Sequence, residues 1–312
     1  MCYGCNFFRQ RLLLSVLSCK AVRISEIRIL EDEPGLKEYE VSLVRLLDKI
    51  TNGTIVELNE TGTSLYFQPG LLYGGSIEHE CSLQRGIGYY LEVLFMLGLF
   101  CKKPLHATLT RCHKPFKDFY AGNNEKFIYN DENLDLQIKK RGMRPLGGGE
   151  IVFKCPVGKQ LRPIQLCDSG MIKRIRGTAY ALRVSPAMAN RIVDKAKGVL
   201  LNFLPDIYIS TDPRKGKQSG NSPGFGVHLT AETTNGTIYS AEQVSNVVTN
   251  GEDPSLPEDL GEAAAQRLLY EIYLGGVVDS TSQSLAILFM ALGQKDVSKI
   301  VTGPLTDCAI GF

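Results

Sequence analysis

Residues 12–29, LLLSVLSCKAVRISEIRI, combine an apolar helix, a short break at Lys20 and a run of β-branched residues that we expect to be strand as far as Ile29. The same order returns at residues 90–109, YLEVLFMLGLFCKKPLHATL, and at residues 284–301, SLAILFMALGQKDVSKIV. Each helix is apolar on nearly all sides, which is typical of a helix buried against a sheet. The three segments therefore predict an α/β (α+β) protein with a large domain of repeated α/β units.

A second pattern interrupts the repeats before the third unit. Alternating residues predict a strand over 172–184, and Ser185-Pro186 is a typical start for the helix that follows. Residues 211–224 are rich in Lys, Gly, Ser and Pro, so we expect a mobile loop there. Residues 111–133 are polar and Asn-rich, and we expect a loop in place of a helix. We predict a discontinuous large domain, residues 1–170 and 247–312, and a small inserted α/β domain, residues 171–246.

Composition limits the classes of function. The 312 residues contain 35 Lys+Arg and 33 Asp+Glu, a formal net charge of +2. This balance excludes a protein that coats nucleic acid by bulk charge, so any RNA contact must use a local patch. Nine Cys, an odd number without framework spacing, favour free thiols in a reducing compartment.

The N-terminal segment has an alternative interpretation. Arg9 and Arg11 before an apolar run resemble a signal peptide, and three Asn-x-Thr sequons would then fit a secreted glycoprotein. The recurrence of the pattern deep inside the chain favours a core helix instead. Residues 89–101 form the other apolar run, which is far shorter than the roughly 20 residues that cross a bilayer, so we predict no transmembrane helix and no membrane partner.

The candidate chemistry is anion binding through local basic groups. Arg9 and Arg11 stand at the start of a helix, where the dipole favours an anion; a salt bridge to a nearby carboxylate is the equal alternative. Lys139, Lys140, Arg141 and Arg144 could hold phosphates, and a solvated surface is the alternative. They precede a Gly run at residues 147–149, which we interpret as a tight turn, with an anion nest of backbone amides as the alternative. We expect no cofactor and no metal, because the Cys2/Cys5 pair lacks a second pair at zinc spacing and the four His form no recognisable triad.

Six motifs, taken together, carry a family resemblance. The chain resembles the RNA 3′-terminal phosphate cyclase superfamily, and within it the eukaryotic cyclase-like branch. The resemblance covers most of the chain and implies a large domain of repeated α/β units with a small insert. The motifs are residues 4–11 (GCNFFRQR), 33–36 (EPGL), 66–75 (YFQPGLLYGG), 141–142 with 147–149, 172–177 (IKRIRG) and 278–285 (VDSTSQSL).

The resemblance also implies that catalysis is lost. Cyclases of this family pass AMP to a His near the end of the chain, and the matching position here is Asp307, whose carboxylate cannot form the phosphoramidate. A Gln of the second unit's helix is replaced by Glu92, which would repel a nucleotide triphosphate. Arg9 and Arg28 still match, so we expect part of an anion pocket to remain. We therefore predict no catalytic residues and, as anion or RNA contacts, Arg9, Arg11, Arg28, Lys139, Lys140, Arg141 and Arg144.

Membership of this branch would imply a nuclear protein that acts in the nucleolus, in the processing of small-subunit pre-rRNA. The implied partners are a nucleolar GTPase of the small-subunit processome and the pre-ribosomal particle, with pre-rRNA itself as a further contact. An endonuclease that cleaves pre-rRNA is the main alternative, and an active RNA 3′-phosphate cyclase is another. Relatives continue past the position of Phe312 through a last helix and strand, so we expect exposed apolar surface and reduced stability in this chain.

Overall fold

The fold is taken from a computed structural model, which describes residues 2–112, 134–158, 161, 163–246 and 254–311. The loop predicted over 111–133 lies almost wholly outside the described residues. No helix within them is both long enough and apolar enough to cross a bilayer.

The first repeated unit is a four-stranded sheet with two helices. Its elements are β1 (Cys2–Tyr3), α1 (Phe8–Ser18), β2 (Val22–Ser25), α2 (Glu38–Ile50), β3 (Thr51–Asn52), β4 (Ile55–Leu58), β5 (Leu65–Gln68) and β6 (Leu71–Leu72). The sheet order is β1-β2-β5-β4, with β1 parallel to β2 and the other pairs antiparallel. β3 and β6 form a separate antiparallel pair.

The second unit repeats this topology. It contains β7 (Gly75–Glu80), α3 (Gly88–Gly98), β8 (Leu105–Cys112), β9 (Asp135–Lys140) and β10 (Gly149–Cys155). The sheet order is β7-β8-β10-β9, again a parallel pair across a helix followed by an antiparallel hairpin. The helices of both units are buried because their apolar residues cover the sheets, and each fully buried Leu or Ile contributes about 1.5–3 kcal/mol.

The insert begins after β11 (Gln165–Leu166) and forms a sheet in the order β13-β12-β14-β15. β12 is parallel to β13 and antiparallel to β14. Two helices cover one face, and their residues share a second hydrophobic core with that sheet. The elements are β12 (Ile172–Leu182), α4 (Ala187–Leu200), β13 (Ile207–Arg214), β14 (Gly224–Thr233), β15 (Ile238–Val244) and α5 (Pro257–Leu274).

Helix α5 belongs to the insert by its packing. Leu260, Ala264 and Leu268 are buried in the core of the small module, against α4 and β15. At Gly261 the two helices approach so closely that a Cβ atom would lie 2.6 Å from the backbone oxygen of Ile192. Our predicted boundary at residue 246 divides the chain before this helix, whereas its buried face packs on the insert.

The third unit is formed by residues on both sides of the insert in the sequence. It contains β11, α6 (Gln283–Leu292), β16 (Lys299–Ile300) and the short α7 (Asp307–Ile310), and β11 pairs with β16 in parallel. In all three units, therefore, the strand after the apolar helix lies parallel to the strand before it. The predicted repeat of helix and strand is confirmed, and so is the α/β fold class.

Two predicted boundaries are wrong. The strand expected to reach Ile29 ends at Ser25, because Glu26 and Arg28 adopt φ values of 59° and 50°, which no strand accommodates. The mobile loop expected from residue 211 starts later, since β13 continues to Arg214. Its remainder packs on the Gly turn of the large domain, where the Ser222 hydroxyl accepts a hydrogen bond from the Leu146 amide at 2.9 Å.

Candidate functional site

A cavity of about 510 Å³ lies between the repeated units and the insert. Its large-domain wall comes from the starts of α1, α3 and α6, and its other wall comes from β14, β15 and α5. We call this cavity the interdomain cleft. Ionisable lining residues include Arg9, Arg85 and Glu92 on the first wall and His228, Glu242 and Arg267 on the second.

Arg9 forms an ion pair at the floor of the interdomain cleft. Its Nη2 lies 2.6 Å from Oε2 of Glu92, and the two side chains are only 17% and 18% exposed. The guanidinium also lies 5.1 Å from the ring centroid of Tyr89. Burial raises the pKa of Glu92, and the Arg9 charge works against that rise. The salt bridge that the sequence left open as an alternative for Arg9 is therefore present.

An aromatic frame holds this ion pair in place. Tyr89 meets Tyr39 and Tyr90 edge-to-face, each at 5.4 Å between ring centroids. Arg85 lies over the Tyr39 ring at 4.7 Å, at the rim of the cleft. Burial raises the pKa of Tyr89 above its usual range, so the ring stays neutral and offers a polarised face to the guanidinium.

The two walls are joined behind the cleft by a buried carboxylate. Asp279 is 1% exposed and accepts hydrogen bonds from Ser240 Oγ of β15 at 2.8 Å and from the Ser282 amide at 3.1 Å. Burial raises the pKa of Asp279 to about 6. Nearby, the Tyr239 hydroxyl donates to the Gly276 carbonyl at 2.5 Å. These bonds connect the edge of the insert sheet to the loop before α6.

Two other predicted basic residues are occupied inside the first unit. Arg11 Nη1 donates to the carbonyls of Gly4 at 2.8 Å and Tyr3 at 3.2 Å. Arg28 binds Glu40 with both Nη atoms, each at 2.6 Å, and the Arg28 side chain is 9% exposed. The Glu40 carboxylate raises the pKa of Arg28 above its usual range. Both arginines hold their own unit together.

The four predicted basic residues near the end of β9 each have different surroundings. Lys139 is exposed, and Lys140 Nζ lies 2.7 Å from Glu150 Oε2. Arg141 donates from Nε to Asp212 Oδ2 at 2.8 Å, a bond that joins the large domain to β13. Its guanidinium also lies over the Tyr180 ring. Arg144 Nη2 donates to the Gln84 carbonyl at 3.1 Å, beside the turn that carries Arg85.

Among the seven predicted basic residues, all of them described, Arg9 lines the interdomain cleft and the other six lie outside its lining. Asp307, which the resemblance predicts to stand at the position of the cyclases' His, is exposed in the first turn of α7. Helix α7 is capped by Thr306, whose amide donates to Gln283 Oε1 at 2.9 Å. Across the described part of the chain, no three His, Cys, Asp or Glu side chains form a group suited to a metal ion.

Several residues in or behind the interdomain cleft were not predicted from the sequence. Arg85 stands directly before Gly86-Ile87-Gly88, the start of α3, and this Gly-flanked helix start was the available signal. Asp279 lies inside the quoted motif of residues 278–285, where its role was not assigned. His228 and Arg267 carry no local signal, since each belongs to a regular strand or helix and reaches the cleft only through packing of the insert.

Comparison with known proteins agrees with this architecture. The family profile for RNA 3′-terminal phosphate cyclase matches residues 1–312. A Drosophila melanogaster protein described as a probable RNA 3′-terminal phosphate cyclase-like protein is 57% identical over 99% of this chain and 83% of its own length. The Homo sapiens RNA 3′-terminal phosphate cyclase-like protein is also 57% identical, over 99% of this chain and 85% of its own length.

A more distant relative has a different description. The Schizosaccharomyces pombe protein described as rRNA processing protein rcl1 is 43% identical over 97% of this chain and 84% of its own length. The family profile spans the whole chain, and the relatives cover nearly all of it. The chain therefore belongs to the RNA 3′-terminal phosphate cyclase family, in the branch of the cyclase-like proteins.

Proposed function

We propose that this chain is a non-catalytic cyclase-like factor in rRNA processing. Its proposed place is the nucleolus, in the maturation of small-subunit pre-rRNA, as a partner of a nucleolar GTPase. The description of the fission yeast relative as an rRNA processing protein supports the process. The observation that carries the non-catalytic part is the ion pair between Arg9 and Glu92 at 2.6 Å.

This ion pair neutralises the positive charge of Arg9 that would otherwise attract a triphosphate. A nucleotide triphosphate brings several negative charges and is normally met by a surplus of cations. Here the positive charge of Arg9 is already balanced by a carboxylate next to the same cavity. Glu242 and Glu271 also line the cleft and offset the charges of Arg85 and Arg267. A triphosphate in this cleft would meet like charge in desolvated surroundings, which is unfavourable.

The position matched to the acceptor His supports the same proposal. Asp307 offers a carboxylate, and the phosphoramidate intermediate of adenylyl transfer needs a nitrogen nucleophile, which in the cyclases is a His. The chain does carry a His at the cleft, His228 on β14. It is therefore the residue to examine if any adenylate is found.

Incubation with radiolabelled ATP tests the proposal directly. We expect no acid-labile label on the protein, and no ring closure on an RNA that ends in a 3′-phosphate, while an active cyclase treated in parallel gives both. Label recovered on a His, whether His228 or another, would overturn the proposal. Equilibrium binding of ATP to the Glu92→Gln variant and to the unchanged chain shows whether the carboxylate is what excludes the nucleotide.

The role in assembly is tested by capture from nuclear extract. We expect the tagged chain to recover a GTPase and small-subunit pre-ribosomal proteins. For the RNA contact we propose the exposed members of the basic set, Lys139 and Arg144. Changing both to Ala should reduce crosslinking to pre-rRNA and leave GTPase recovery unchanged. Cleavage of a minimal pre-rRNA by the pure protein would instead favour an endonuclease.

A further inference from the structure

Strand β4 has a free edge with backbone groups that point away from its sheet. β4 pairs with β5 on one side, and among the described residues no strand pairs with the other side. The Asn59 amide donates to the Ser64 carbonyl at 3.2 Å, so residues 55, 57 and 59 face β5. Since alternate residues of an antiparallel strand point opposite ways, the N–H and C=O groups of Val56 and Leu58 point outward.

The side chains along this edge are apolar and exposed. Ile55 is 47% exposed and Leu58 is 46% exposed. Leu71, which is 74% exposed, lies close to the start of β4, because the Gly70 amide donates to Thr54 Oγ1 at 3.0 Å. Val56 and Leu58 stand opposite Phe67 and Leu65, both fully buried. The apolar face of the sheet therefore extends to the β4 edge, where Leu58 is left exposed.

The other long edges carry Lys, Arg or Pro, or a side chain bound to an edge carbonyl. Proteins blunt a sheet edge with charged side chains, above all Lys, with Pro, or by covering it. β4, Ile-Val-Glu-Leu, has no Lys, Arg or Pro, and its one charged residue is Glu57. Elsewhere the devices are Lys139 and Lys140 on β9, Pro213 and Arg214 on β13, Lys49 bound to the Glu78 carbonyl of β7, and Arg267 bound to the Glu242 carbonyl of β15.

We propose that β4 docks an extended segment of a protein partner as an added strand. This rests on the proposed function, for which it names the docking site. The added strand would bond to the outward N–H and C=O groups of Val56 and Leu58. Its side chains on the core face would be apolar, to cover Leu58. A Lys or Arg would lie opposite Glu57, which is exposed and has no ion-pair partner among the described residues.

A second copy of this chain fits the edge poorly. In a symmetric antiparallel pairing, Val56 would bond to Leu58 of the other copy so that both outward residues are used. That register places the two Glu57 side chains directly opposite each other, at the short distance of a non-hydrogen-bonded pair. Like charges at this position destabilise a sheet. The occupant is therefore a partner with a basic residue at that place.

Hydrogen exchange on the complex recovered from nuclear extract tests the proposal. In the free chain we expect the Glu57 amide to be protected and the Val56 and Leu58 amides to exchange quickly. In the complex the Val56 and Leu58 amides should slow at least tenfold. Leu58→Lys should weaken recovery of the GTPase about tenfold, as loss of a central contact does. Met171→Lys, which changes an apolar residue on the insert that is 79% exposed, should leave recovery unchanged.

The outcomes separate this proposal from the proposed function. If the complex forms but the Val56 and Leu58 amides still exchange quickly, β4 is not the docking edge and the assembly role stands. If no GTPase is recovered at all, the assembly role fails and the docking proposal fails with it. If the pure chain is dimeric and the slow exchange depends on its concentration, a second copy occupies the edge and the proposal is wrong.

Discussion

At the scale of single residues, buried charges are placed where each has a partner. Arg28 and Glu40 form a two-pronged pair inside the first unit, and Arg9 meets Glu92 at the interdomain cleft. Such pairs contribute little net stability but are costly to break, because the remaining charge is left buried. Two other buried groups, Asp279 and His79, have pKa values far from the ordinary ones, and each predicts a pH dependence of folding.

We predict that Asp279→Asn stabilises the protein at neutral pH. The pKa of Asp279 is raised to about 6 from an unfolded value near 3.8, so its stabilising protonated form is lost as the pH rises through 6. Because Asn cannot ionise, the free energy of unfolding of the variant at neutral pH should exceed that of the wild type by at most about 3 kcal/mol. Urea unfolding at pH 7.5 should show the gain, and the difference from wild type should shrink between pH 6 and pH 4. An equal gain at both pH values would contradict this account.

We predict a loss of stability below pH 6.5 that depends on His79. The ring is 4% exposed, its Nε2 lies 2.9 Å from Ser42 Oγ, and burial lowers its pKa to about 4. A base with a lowered folded-state pKa stabilises the fold above its unfolded pKa, and that contribution, about 3 kcal/mol, disappears as the pH falls. In His79→Gln the free energy of unfolding should vary less between pH 7 and pH 4.5. An unchanged slope would assign the acid sensitivity to other groups.

At the scale of elements, close helix packing decides which module a helix joins. α5 follows the insert in sequence and packs on α4, and Gly261 is the point of closest approach. Neither residue type nor periodicity marks this choice, since an amphipathic helix packs equally well on either of two apolar surfaces. The short contact at Gly261 makes the pairing testable with one methyl group.

We predict that Gly261→Ala destabilises the protein although Ala is the better helix former. The added Cβ would lie 2.6 Å from the Ile192 carbonyl, and such overpacking costs about 1–3 kcal/mol. Gly198 in α4 is the matched control, because a Cβ there meets nothing within 4 Å. Gly198→Ala should therefore stabilise by about 0.5–1 kcal/mol. Chemical denaturation of both variants compares them, and a gain at both positions would mean that the helices do not pack this way.

At the scale of the whole molecule, the repeated units and the insert are joined by two groups of side-chain contacts. Ser240 and Tyr239 bond to the loop before α6, and Arg141 bonds to Asp212 of β13. The chain also passes between the two modules twice, because the insert interrupts the third unit between β11 and α6. The insert and the units are thereby coupled although each has its own hydrophobic core.

We predict a single cooperative thermal transition for the two cores. Unfolding the insert alone would expose Asp279 and release the Arg141–Asp212 pair, which adds the cost of opening the large domain's surface. Calorimetry should give one peak, with equal calorimetric and van't Hoff enthalpies. Two resolved peaks would show that the modules unfold independently, and Arg141→Ala is the variant expected to move the protein in that direction.

The sequence by itself determined the helices, most strands, the repeated unit and the presence of an insert. These follow from periodicity and turn chemistry, which act between residues close in the chain. It also identified the family through motifs read in order. The end of β2 was missed because a left-handed backbone at Glu26 leaves no mark in residue type.

Only the tertiary structure decided which groups meet. Arg9 and Glu92, or Ser240 and Asp279, are far apart in sequence, and each pair forms because separate elements pack side by side. The same holds for the parallel pairing of β11 with β16 across the whole insert, for the packing of α5 and for the free edge of β4. A charge pair or a strand edge depends on distance in space, and local sequence carries no measure of that distance.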